Sequence, residues 1–286
     1  MTGRFTDEVV LVTGGGRGIG RHITRAFARE GAHVVVNCFR DPEAARHTVD
    51  EVLDSGGKAH LLPGNVADRG AVVALFDEIG ERHGRLDVLV NNAASGRFSA
   101  LDAVRERDWL RALSTNAAGS LWCSQAARPL LELARWPAIV NVSSSGAGAV
   151  LPAYTSTGAS KAALEALTRY LAVEYGPAGI RVNAAAGGLI EGDARAGMPG
   201  NDHLESAARA CTPLRRIGTP EELAQVVLFL ASPAASWITG QVLHADGGLS
   251  ITHPAYASMA ARGEGHRAPD AGHEVRGEGH ERKRLP

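Results

Sequence analysis

Short apolar runs rich in β-branched residues alternate along the chain with longer segments whose apolar residues recur at helical spacing. The runs predict strands at 8–13, 33–37, 59–62, 87–93, 138–144, 180–186 and 241–248. The longer segments predict helices at 18–30, 44–55, 68–83, 156–175 and 221–231, with Asp68 as the N-cap of the third helix. Strands that alternate with helices form a parallel sheet with helices on its faces. We therefore expect an α/β fold with a single doubly wound parallel sheet and helices on both faces.

The C-terminal segment from Pro254 has a different composition. It is rich in Gly, Glu, His, Arg and Ala, has almost no large apolar side chain, and contains RGEGH twice, at 262–266 and 276–280. Such a segment buries too little surface to offset the entropy lost when it becomes ordered. We expect one domain over 1–253 and a disordered polar tail over 254–286, with solvated histidines.

Charge and cysteine content exclude several classes of protein. The formal net charge is −1, which gives no general attraction to nucleic acids or anionic membranes. No run approaches the ~18 apolar residues of a membrane span, and the N-terminus lacks the basic flank and cleavage site of a signal peptide. Cys38, Cys123 and Cys211 match neither a disulfide framework nor metal-ligand spacing. We expect a cytoplasmic protein with no metal site, no nucleic-acid partner and no membrane association.

A glycine-rich turn, VLVTGGGRGIG at 10–20, joins the first predicted strand to the first predicted helix. It matches T-G-x-x-x-G-x-G through Gly14, Gly18 and Gly20. Such a turn lets the backbone approach a pyrophosphate at the positive end of the helix. The turn therefore predicts a Rossmann-type dinucleotide site.

The end of the second predicted strand, VVVNCFRD, favours NADPH over NADH. A carboxylate at the strand tip would bind the adenosine ribose and repel a 2′-phosphate, but here the tip is neutral and Arg40 follows. Arg17 in the glycine turn is expected to point toward the same region, and Asp41 lies one step too far. We expect Asn65 and Asn91 beside the adenine and the ribose of the cofactor, although each could instead cap a local turn.

Several motifs occur in a fixed order: TGGGRGIG, NNAA, an Asn in LSTNAAG, VNVSSSGAG, a Tyr, and SKAALEALTRYLAVEYGPAGIRVNA. This ordered set resembles the short-chain dehydrogenase/reductase family over about residues 5–252. The resemblance implies an active site of Asn116, Ser144, a tyrosine and Lys161. Asn116 would kink its helix and position a water, and Ser144 would bind the substrate oxygen. Lys161 would hold the nicotinamide ribose and lower the pKa of the tyrosine.

The same resemblance extends the expected cofactor site and the expected assembly. It implies further cofactor contacts from Ile19, Val66, Gly187 and Ile190. It also implies a homotetramer in which the helix at 156–175 lies at a subunit interface.

The stretch YTSTGASK at 154–161 departs from the usual pattern of this family. Members that reduce carbonyls place the tyrosine four residues before the lysine, where this chain has Thr157, whose hydroxyl is a far weaker acid. Tyr154, seven residues before Lys161, is the only local phenol. Two helical turns would keep both side chains on one face and displace the acid by about 4.5 Å along the axis.

A displaced acid suits the reduction of an enoyl thioester. In carbonyl reduction, hydride adds to the carbon that bears the protonated oxygen. In an α,β-unsaturated thioester, hydride adds to Cβ and negative charge develops on an oxygen three bonds away, so the donor must stand further from the nicotinamide. The Tyr-x6-Lys spacing resembles that of enoyl-acyl-carrier-protein reductase III and of related enoyl-CoA reductases, such as the cyclohexenylcarbonyl-CoA reductases.

Residues 187–218 are expected to form a lid over the substrate. This segment combines apolar residues with four arginines, Arg195, Arg209, Arg215 and Arg216. The combination suits an acyl chain on the phosphopantetheine arm of an anionic carrier, but the arginines could equally be ordinary solvated charges.

Together these features predict NADPH-dependent reduction of the C2=C3 double bond of an enoyl thioester carried on acyl carrier protein or CoA, in fatty acid biosynthesis or secondary metabolism. A carbonyl reductase of the same family is the first alternative, because Ser144 and Asn116 are retained. A catalytically inactive NADPH-binding protein is the second alternative, because Thr157 replaces the usual tyrosine.

Overall fold

The computed structural model of the chain describes residues 3–192, 206 and 209–253. The predicted tail at 254–286 lies outside the described residues, as does the middle of the predicted lid at 187–218. The boundary placed after residue 253 therefore stays a prediction.

Seven strands form one sheet in which every neighbouring pair is parallel. The strands are β1 (Val9–Val12), β2 (His33–Cys38), β3 (Lys58–Pro63), β4 (Val88–Asn91), β5 (Ala138–Ser144), β6 (Arg181–Gly187) and β7 (Val242–Ala245). Their order across the sheet is β3-β2-β1-β4-β5-β6-β7. All seven predicted strands are present. The last one is shorter than predicted because Gly247 and Gly248 adopt positive φ angles, +63° and +88°, which end the strand.

The α-helices that the structure describes along their whole length are α1 (Gly18–Arg29), α2 (Pro42–Asp54), α3 (Arg69–His83), α4 (Glu106–Ala112), α5 (Gly119–Leu131), α6 (Thr155–Tyr175) and α7 (Pro220–Ala231). The five predicted helices are among them. The expected N-cap of α3 is confirmed, because the Asp68 carboxylate accepts hydrogen bonds from two main-chain N–H groups of the first turn. None of the helices in the described part of the chain is long and apolar enough to cross a membrane.

Each face of the sheet carries its own apolar core. One core combines sheet residues with α1, α2 and α7, and the other combines sheet residues with α3, α5 and α6. Helices therefore cover both faces, which confirms the doubly wound architecture. The strand order reverses direction between β1 and β4, and the crevice beyond the carboxyl ends of these strands is where open α/β sheets bind ligands.

A buried arginine joins the last part of the sheet to α7. Arg181, the first residue of β6, is only 8% exposed, and its guanidinium caps the C-terminal end of α7. Its hydrogen bonds go to the main-chain oxygens of Leu230 (2.6 Å), Ala231 (2.9 Å), Ser232 (3.2 Å) and Ala235 (3.1 Å). The last carbonyls of a helix lack partners within the helix, so this side chain satisfies groups that would otherwise be buried without one.

Replacing this guanidinium should destabilise the fold. We expect Arg181→Met to lower the free energy of unfolding by about 3 kcal/mol, because charged hydrogen bonds are lost and helix carbonyls are left buried without partners. Urea denaturation followed by circular dichroism measures the loss. The control is Arg29→Met, at an exposed position near the end of α1, where a change within about 0.5 kcal/mol is expected. Equal effects of the two substitutions would contradict the role of Arg181.

Candidate active site

The glycine turn between β1 and α1 has the geometry that a pyrophosphate requires. Gly14 and Gly18 adopt positive φ angles, +62° and +50°, and a Cβ on Gly20 would lie 2.1 Å from the carbonyl oxygen of Gly14. No atom lies within 4 Å of the place where a Cβ on Gly18 would be, so the outer side of the turn is open. The first turn of α1 holds no acidic residue. The turn therefore offers an approach to the positive end of a helix and fits a dinucleotide.

The tip of β2 presents positive rather than negative charge. The Asp41 carboxylate accepts a hydrogen bond from the main-chain N–H of Ala44 at 3.1 Å and caps α2. The Asn37 amide donates to two main-chain oxygens at the end of β3 and just beyond it. Arg17 and Arg40 are both exposed at this edge of the sheet. The Asp41 carboxylate is thus engaged in a helix cap, and Arg17 and Arg40 carry exposed positive charges at this edge.

The end of β4 limits how Asn91 could contact a cofactor. The side chain of Asn91 is buried and donates to Asn141 Oδ1 at 2.9 Å, within the layer between the sheet and the helices. Its neighbour Asn92 instead reaches the glycine turn, donating to the main-chain oxygens of Thr13 at 2.9 Å and Gly14 at 3.0 Å. Asn92 is the residue that holds the turn in shape. Any contact of Asn91 with the cofactor would involve its main chain.

The side chains of two other predicted contacts serve local structure. Asn65 Oδ1 accepts a hydrogen bond from the main-chain N–H of Ala67 at 3.1 Å, which is the local turn foreseen as the alternative. Val66 is 6% exposed and packs in the apolar core with its main-chain oxygen against Gly119. The predicted contact of Val66 with a cofactor named no atom and stays a prediction, but its side chain is not available for that contact.

The remaining predicted cofactor contacts lie along the carboxyl edge of the sheet. Ile19 is the second residue of α1 and is half-buried. Gly187 ends β6 directly beside Ser144 at the end of β5. Ile190 follows and forms an isolated parallel bridge with Gly218. Their contacts with a cofactor stay predictions.

Asn116 ties a loop to the helix that carries the lysine. It lies in a π-helical turn, Leu113–Ala118, between α4 and α5, so the predicted kink is present. Its Oδ1 accepts from the main-chain N–H of Ser95 at 2.7 Å, and its Nδ2 donates to the Ser95 oxygen at 2.9 Å and to Ser160 Oγ at 2.8 Å. Both amide hydrogens are thereby used. The side chain of Asn116 positions the 95–97 loop and the residue next to Lys161.

Tyr154 stands just before α6 rather than on it. It is the N-cap residue of a helix that begins at Thr155, so the expected place of Tyr154 within the helix is wrong by one residue, while the Tyr154 and Lys161 side chains both reach β5. Its hydroxyl lies 3.5 Å from Ser144 Oγ. Its ring lies against Gly146, where a Cβ would come within 2.7 Å of the ring. Burial raises the pKa of Tyr154, and the hydrogen bond to Ser144 partly offsets this rise.

Thr157 occupies the position where a tyrosine is usual, and it is covered. A Cβ on Gly96 would lie only 2.0 Å from Thr157 Oγ1, so the 95–97 loop packs directly on this side chain. Thr157 itself is 8% exposed. Because Asn116 holds the loop in place, a phenol at this position would have no room. The phenol at Ser144 is Tyr154.

Lys161 is buried beside β5. Its Nζ donates to the main-chain oxygen of Val142 at 2.6 Å, and the residue is 5% exposed. Burial lowers the pKa of Lys161 to about 8, and the negative charge of Glu165 acts in the opposite direction. Glu165 is held by a hydrogen bond from Ser143 Oγ at 2.6 Å. Lys161 therefore changes its charge near neutral pH.

Arg216, in the described part of the predicted lid, forms an ion pair. Arg216 Nη1 lies 2.7 Å from Glu222 Oε2 at the start of α7, so its charge is compensated within the fold. Arg215 adopts a left-handed backbone conformation with φ of +59°. Arg195 lies outside the described residues.

A cavity rich in arginine adjoins the 95–97 loop, and sequence reasoning missed it. Its volume is about 550 Å³, and its lining residues are Arg40, Ser95, Gly96, Arg97, Arg105, Arg107, Asp108 and Arg111. The Asp108 carboxylate pairs with Arg105 at 2.6 Å, and this hydrogen bond lowers the pKa of Asp108. Five arginines thus face one carboxylate. The signal was the density of arginines in SGRF and VRERDWLRA, which follow the NNAA motif.

Comparison with known proteins agrees with this geometry. The family model described as Enoyl-(Acyl carrier protein) reductase matches residues 14–250, which span the glycine turn, the Ser144 and Tyr154 hydroxyls and Lys161. The chain belongs to the short-chain dehydrogenase/reductase family.

Two curated relatives of this short-chain dehydrogenase/reductase have different activities. The 1-cyclohexenylcarbonyl-CoA reductase of Streptomyces collinus is 38% identical over 259 residues, covering 88% of this chain and 90% of the relative. The 3-oxoacyl-(acyl-carrier-protein) reductase FabG of Staphylococcus aureus (strain Mu50) is also 38% identical, over 239 residues, covering 84% of this chain and 96% of the relative. The chain is therefore an oxidoreductase of a family with members named for both activities.

A solved structure of the family has the same fold. The gluconate 5-dehydrogenase of Burkholderia cenocepacia, in complex with NADP and tartrate, superposes with a TM-score of 0.81 and 32% identity. The match covers 87% of this chain and 98% of the dehydrogenase.

The ionisation of Lys161 should appear in the pH dependence of this short-chain dehydrogenase/reductase. We expect kcat/KM for the nicotinamide cofactor, which reports ionisations of the free enzyme, to fall as pH rises through about 8, where Lys161 loses its charge. Glu165→Gln should move the midpoint to lower pH, because the Glu165 carboxylate raises the pKa of Lys161. Initial rates across a pH series measure both effects.

The matched control for this measurement is Glu174→Gln, at an exposed position near the end of α6. The midpoint of its pH profile of kcat/KM should equal that of the unmodified enzyme. A midpoint that does not move in Glu165→Gln would assign the ionisation to a group other than Lys161.

Proposed function

We propose that this short-chain dehydrogenase/reductase uses NADPH to reduce the C2=C3 double bond of an enoyl thioester. The observation that carries the proposal is the pair of positions before Lys161. The usual tyrosine position holds Thr157, which is packed under Gly96, while the hydroxyl beside Ser144 belongs to Tyr154, outside the helix. A donor displaced from the usual position matches a substrate whose charge develops away from the carbon that receives hydride.

The choice of NADPH rests on charges at the tip of β2. Arg17 and Arg40 are exposed there, and the Asp41 carboxylate is engaged as the N-cap of α2. A 2′-phosphate would find two cations there, and the residues at the strand tip, Asn37, Cys38 and Phe39, carry no carboxylate. When it is bound, NADPH supplies the hydride that adds to Cβ.

The residues of the chain act on the thioester end of the substrate. Tyr154 donates a hydrogen bond to the thioester oxygen, where negative charge develops, and Ser144 Oγ assists from 3.5 Å away. We assign to Lys161 the role that the family resemblance implies, which is to lower, while protonated, the pKa of Tyr154 that burial raises. Asn116 keeps the loop over Thr157 closed through its bonds to Ser95. The net change is a hydride at Cβ and a proton at Cα, and Tyr154 is the proposed source of that proton.

The arginine cavity supports an anionic carrier for the acyl group. It opens beside Ser95 and Gly96, the loop that covers Thr157, so it is adjacent to the reacting groups. Both CoA and the phosphopantetheine arm of an acyl carrier protein have phosphate at the end remote from the thioester. Arginine forks bind phosphate in bidentate geometry, and with Arg40 assigned to the cofactor, the four other arginines of the cavity still exceed what one carboxylate can neutralise.

The predicted homotetramer remains part of this proposal. On α6, Tyr170 and Val173 are 69% and 77% exposed, and exposed apolar side chains on one helix suit a subunit interface.

Reduction of a 3-oxoacyl thioester is the second candidate function. It is favoured by the convergence of the Tyr154 and Ser144 hydroxyls, since two hydroxyls at one point can also bind a ketone oxygen. The 3-oxoacyl reductase of Staphylococcus aureus matches this chain with the same identity as the cyclohexenylcarbonyl-CoA reductase does.

Paired substrates separate the two activities. We expect NADPH oxidation with crotonyl-CoA to be faster than with acetoacetyl-CoA, and Tyr154→Phe to lower kcat for crotonyl-CoA by about 10²–10⁴-fold, the usual effect of removing a general acid. Thr157→Val is the matched control, because it replaces the hydroxyl at the usual tyrosine position by a methyl group of similar volume. Its activity should stay within about twofold of the unmodified enzyme.

Other outcomes of this assay point to the alternatives. Turnover of acetoacetyl-CoA alone would replace the proposal by the carbonyl reductase. NADPH binding without turnover of either thioester would favour the inactive binding protein. Full activity of Tyr154→Phe would remove Tyr154 as the acid.

Recognition of the carrier by the arginine cavity can be tested with a substrate that lacks phosphate. We expect Arg107→Ala and Arg111→Ala to raise KM for crotonyl-CoA about tenfold each, because a charged hydrogen bond to phosphate is lost. KM for crotonyl-N-acetylcysteamine, which has the thioester but no phosphate, should stay the same. Arg29→Ala, at an exposed position remote from the cavity, is the control for loss of positive charge. Equal rises in KM for both substrates would contradict recognition of the carrier by this cavity.

A further inference from the structure

Three histidines from distant parts of the chain meet at one point. The ring centroids of His33 and His83 are 4.6 Å apart, those of His60 and His83 are 5.2 Å apart, and those of His33 and His60 are 5.4 Å apart. One nitrogen of each ring can be chosen so that the three atoms all lie within 4.8 Å of one another. Imidazole is the commonest metal ligand among protein side chains, so the cluster raises the question of a metal site.

The fold itself places the three rings together. His33 begins β2, and in the parallel register it pairs with Lys58, two residues before His60 on β3. Side chains two apart on a strand share a face, so His33 and His60 are diagonal neighbours on the same side of the sheet. His83 is the last residue of α3, which packs on that face, and Gly84 then turns the chain away in a left-handed conformation. Two strands and one helix end thus supply one ligand each.

Two ring nitrogens of the cluster have no partner in the part of the chain that the structure describes. His60 Nε2 and His83 Nε2 are buried, and no hydrogen bond to another described residue reaches either atom. Buried polar atoms in native proteins are nearly always paired with protein or an ordered solvent species, so two unpaired nitrogens in one cluster require an explanation. Burial also lowers the pKa of all three rings, that of His60 to about 4, which leaves neutral imidazoles with free lone pairs.

Nearby positive charges do not prevent cation binding, because each is compensated. Lys58 Nζ lies 3.1 Å from Asp7 Oδ1, and Arg82 Nη2 lies 2.6 Å from Glu78 Oε1. Arg85 Nε lies 3.0 Å from Asp87 Oδ2. These pairs reduce the positive potential that a divalent ion would meet beside the rings.

We propose that His33, His60 and His83 form a binding site for a late first-row divalent transition metal such as Zn²⁺. Three imidazoles and one water make a tetrahedral set, with Zn–N distances of about 2.0–2.1 Å that place the nitrogens about 3.3 Å apart. The present spacing requires the rings to move together by an ångström or so. The site differs from the prediction of no metal site, which considered cysteine spacing alone.

The proposed site is structural and separate from the active site. The cluster lies at the amino end of β2 and at the C-terminus of α3, whereas the glycine turn and Lys161 lie at the carboxyl edge of the sheet. An ion held there would join β2, β3 and α3. It would stabilise the edge of the sheet without contributing to hydride transfer.

The test is metal binding by the full chain, made without a polyhistidine tag and stripped with a chelator. Because the tail contains His266, His273 and His280, the triple substitution of these residues by alanine removes adventitious binding and serves as the parent protein. Equilibrium dialysis against Zn²⁺ should give one ion per parent chain. Co²⁺ should give the intense visible absorption of a tetrahedral site, whereas Mg²⁺, which prefers oxygen ligands, should not bind.

Substitutions in the parent protein show which histidines bind the ion. His60→Phe and His83→Phe should each weaken Zn²⁺ binding at least tenfold and abolish the tetrahedral Co²⁺ spectrum, while His47→Phe, at an exposed position on α2, should change neither. Zn²⁺ at a hundredfold excess over Kd should raise the melting temperature of the parent by about 5 °C and that of the two variants by less. If either variant fails to fold, His33→Gln carries the same expectation.

Two kinds of result would contradict the proposed metal site. Absence of Zn²⁺ binding in the parent protein would show that the three rings only pack against one another. Binding that persists unchanged in His60→Phe, His83→Phe or His33→Gln would place the ion elsewhere.

Discussion

A buried ammonium group is the constraint on which the active-site half of the molecule depends. Lys161 lies in the interior, and its hydrogen bond to the Val142 oxygen of β5 offsets the cost of removing a charge from water. This bond keeps α6 against β5. Since Ser144 ends β5 and Tyr154 precedes α6, their hydroxyls meet when these two elements pack. Asn116 then fixes the loop above them through Ser95.

Periodicity predicted the sheet and most helices because buried parallel strands and amphipathic helices are dictated by local patterns. N-cap residues could also be predicted from the sequence, as Asp68 shows. The position of Tyr154 just outside α6 could not be predicted, because periodicity does not show at which residue a helix begins. The different side-chain contacts of Asn91 and Asn92 also could not be predicted from the sequence pattern. Adjacent residues at the end of a strand point to opposite sides, and only the sheet's register decides which one faces the glycine turn.

Two features depend on contacts between residues distant in sequence. The arginine cavity joins Arg40, at the end of β2, to residues beyond β4, and these become neighbours only because β1 alone separates the two strands. The three histidines come from β2, β3 and the end of α3 for a similar reason. The density of arginines after NNAA is visible in the sequence, but spacing along the chain shows neither their proximity to Arg40 nor the histidine cluster. Both are consequences of strand order, which local chemistry does not encode.

The position of Tyr154 has an evolutionary consequence. A tyrosine inside a helix is bound to the 1.5 Å rise and the rotation of that helix, so it moves relative to the lysine only in fixed steps. Tyr154 instead ends an exposed turn, in which Val150 is 94% exposed and Ala153 has a φ of +61°. Loops tolerate insertion and replacement far better than helices. Changes in this short turn can therefore shift the phenol relative to a fixed ammonium, so that one scaffold can acquire new substrates without rebuilding its core.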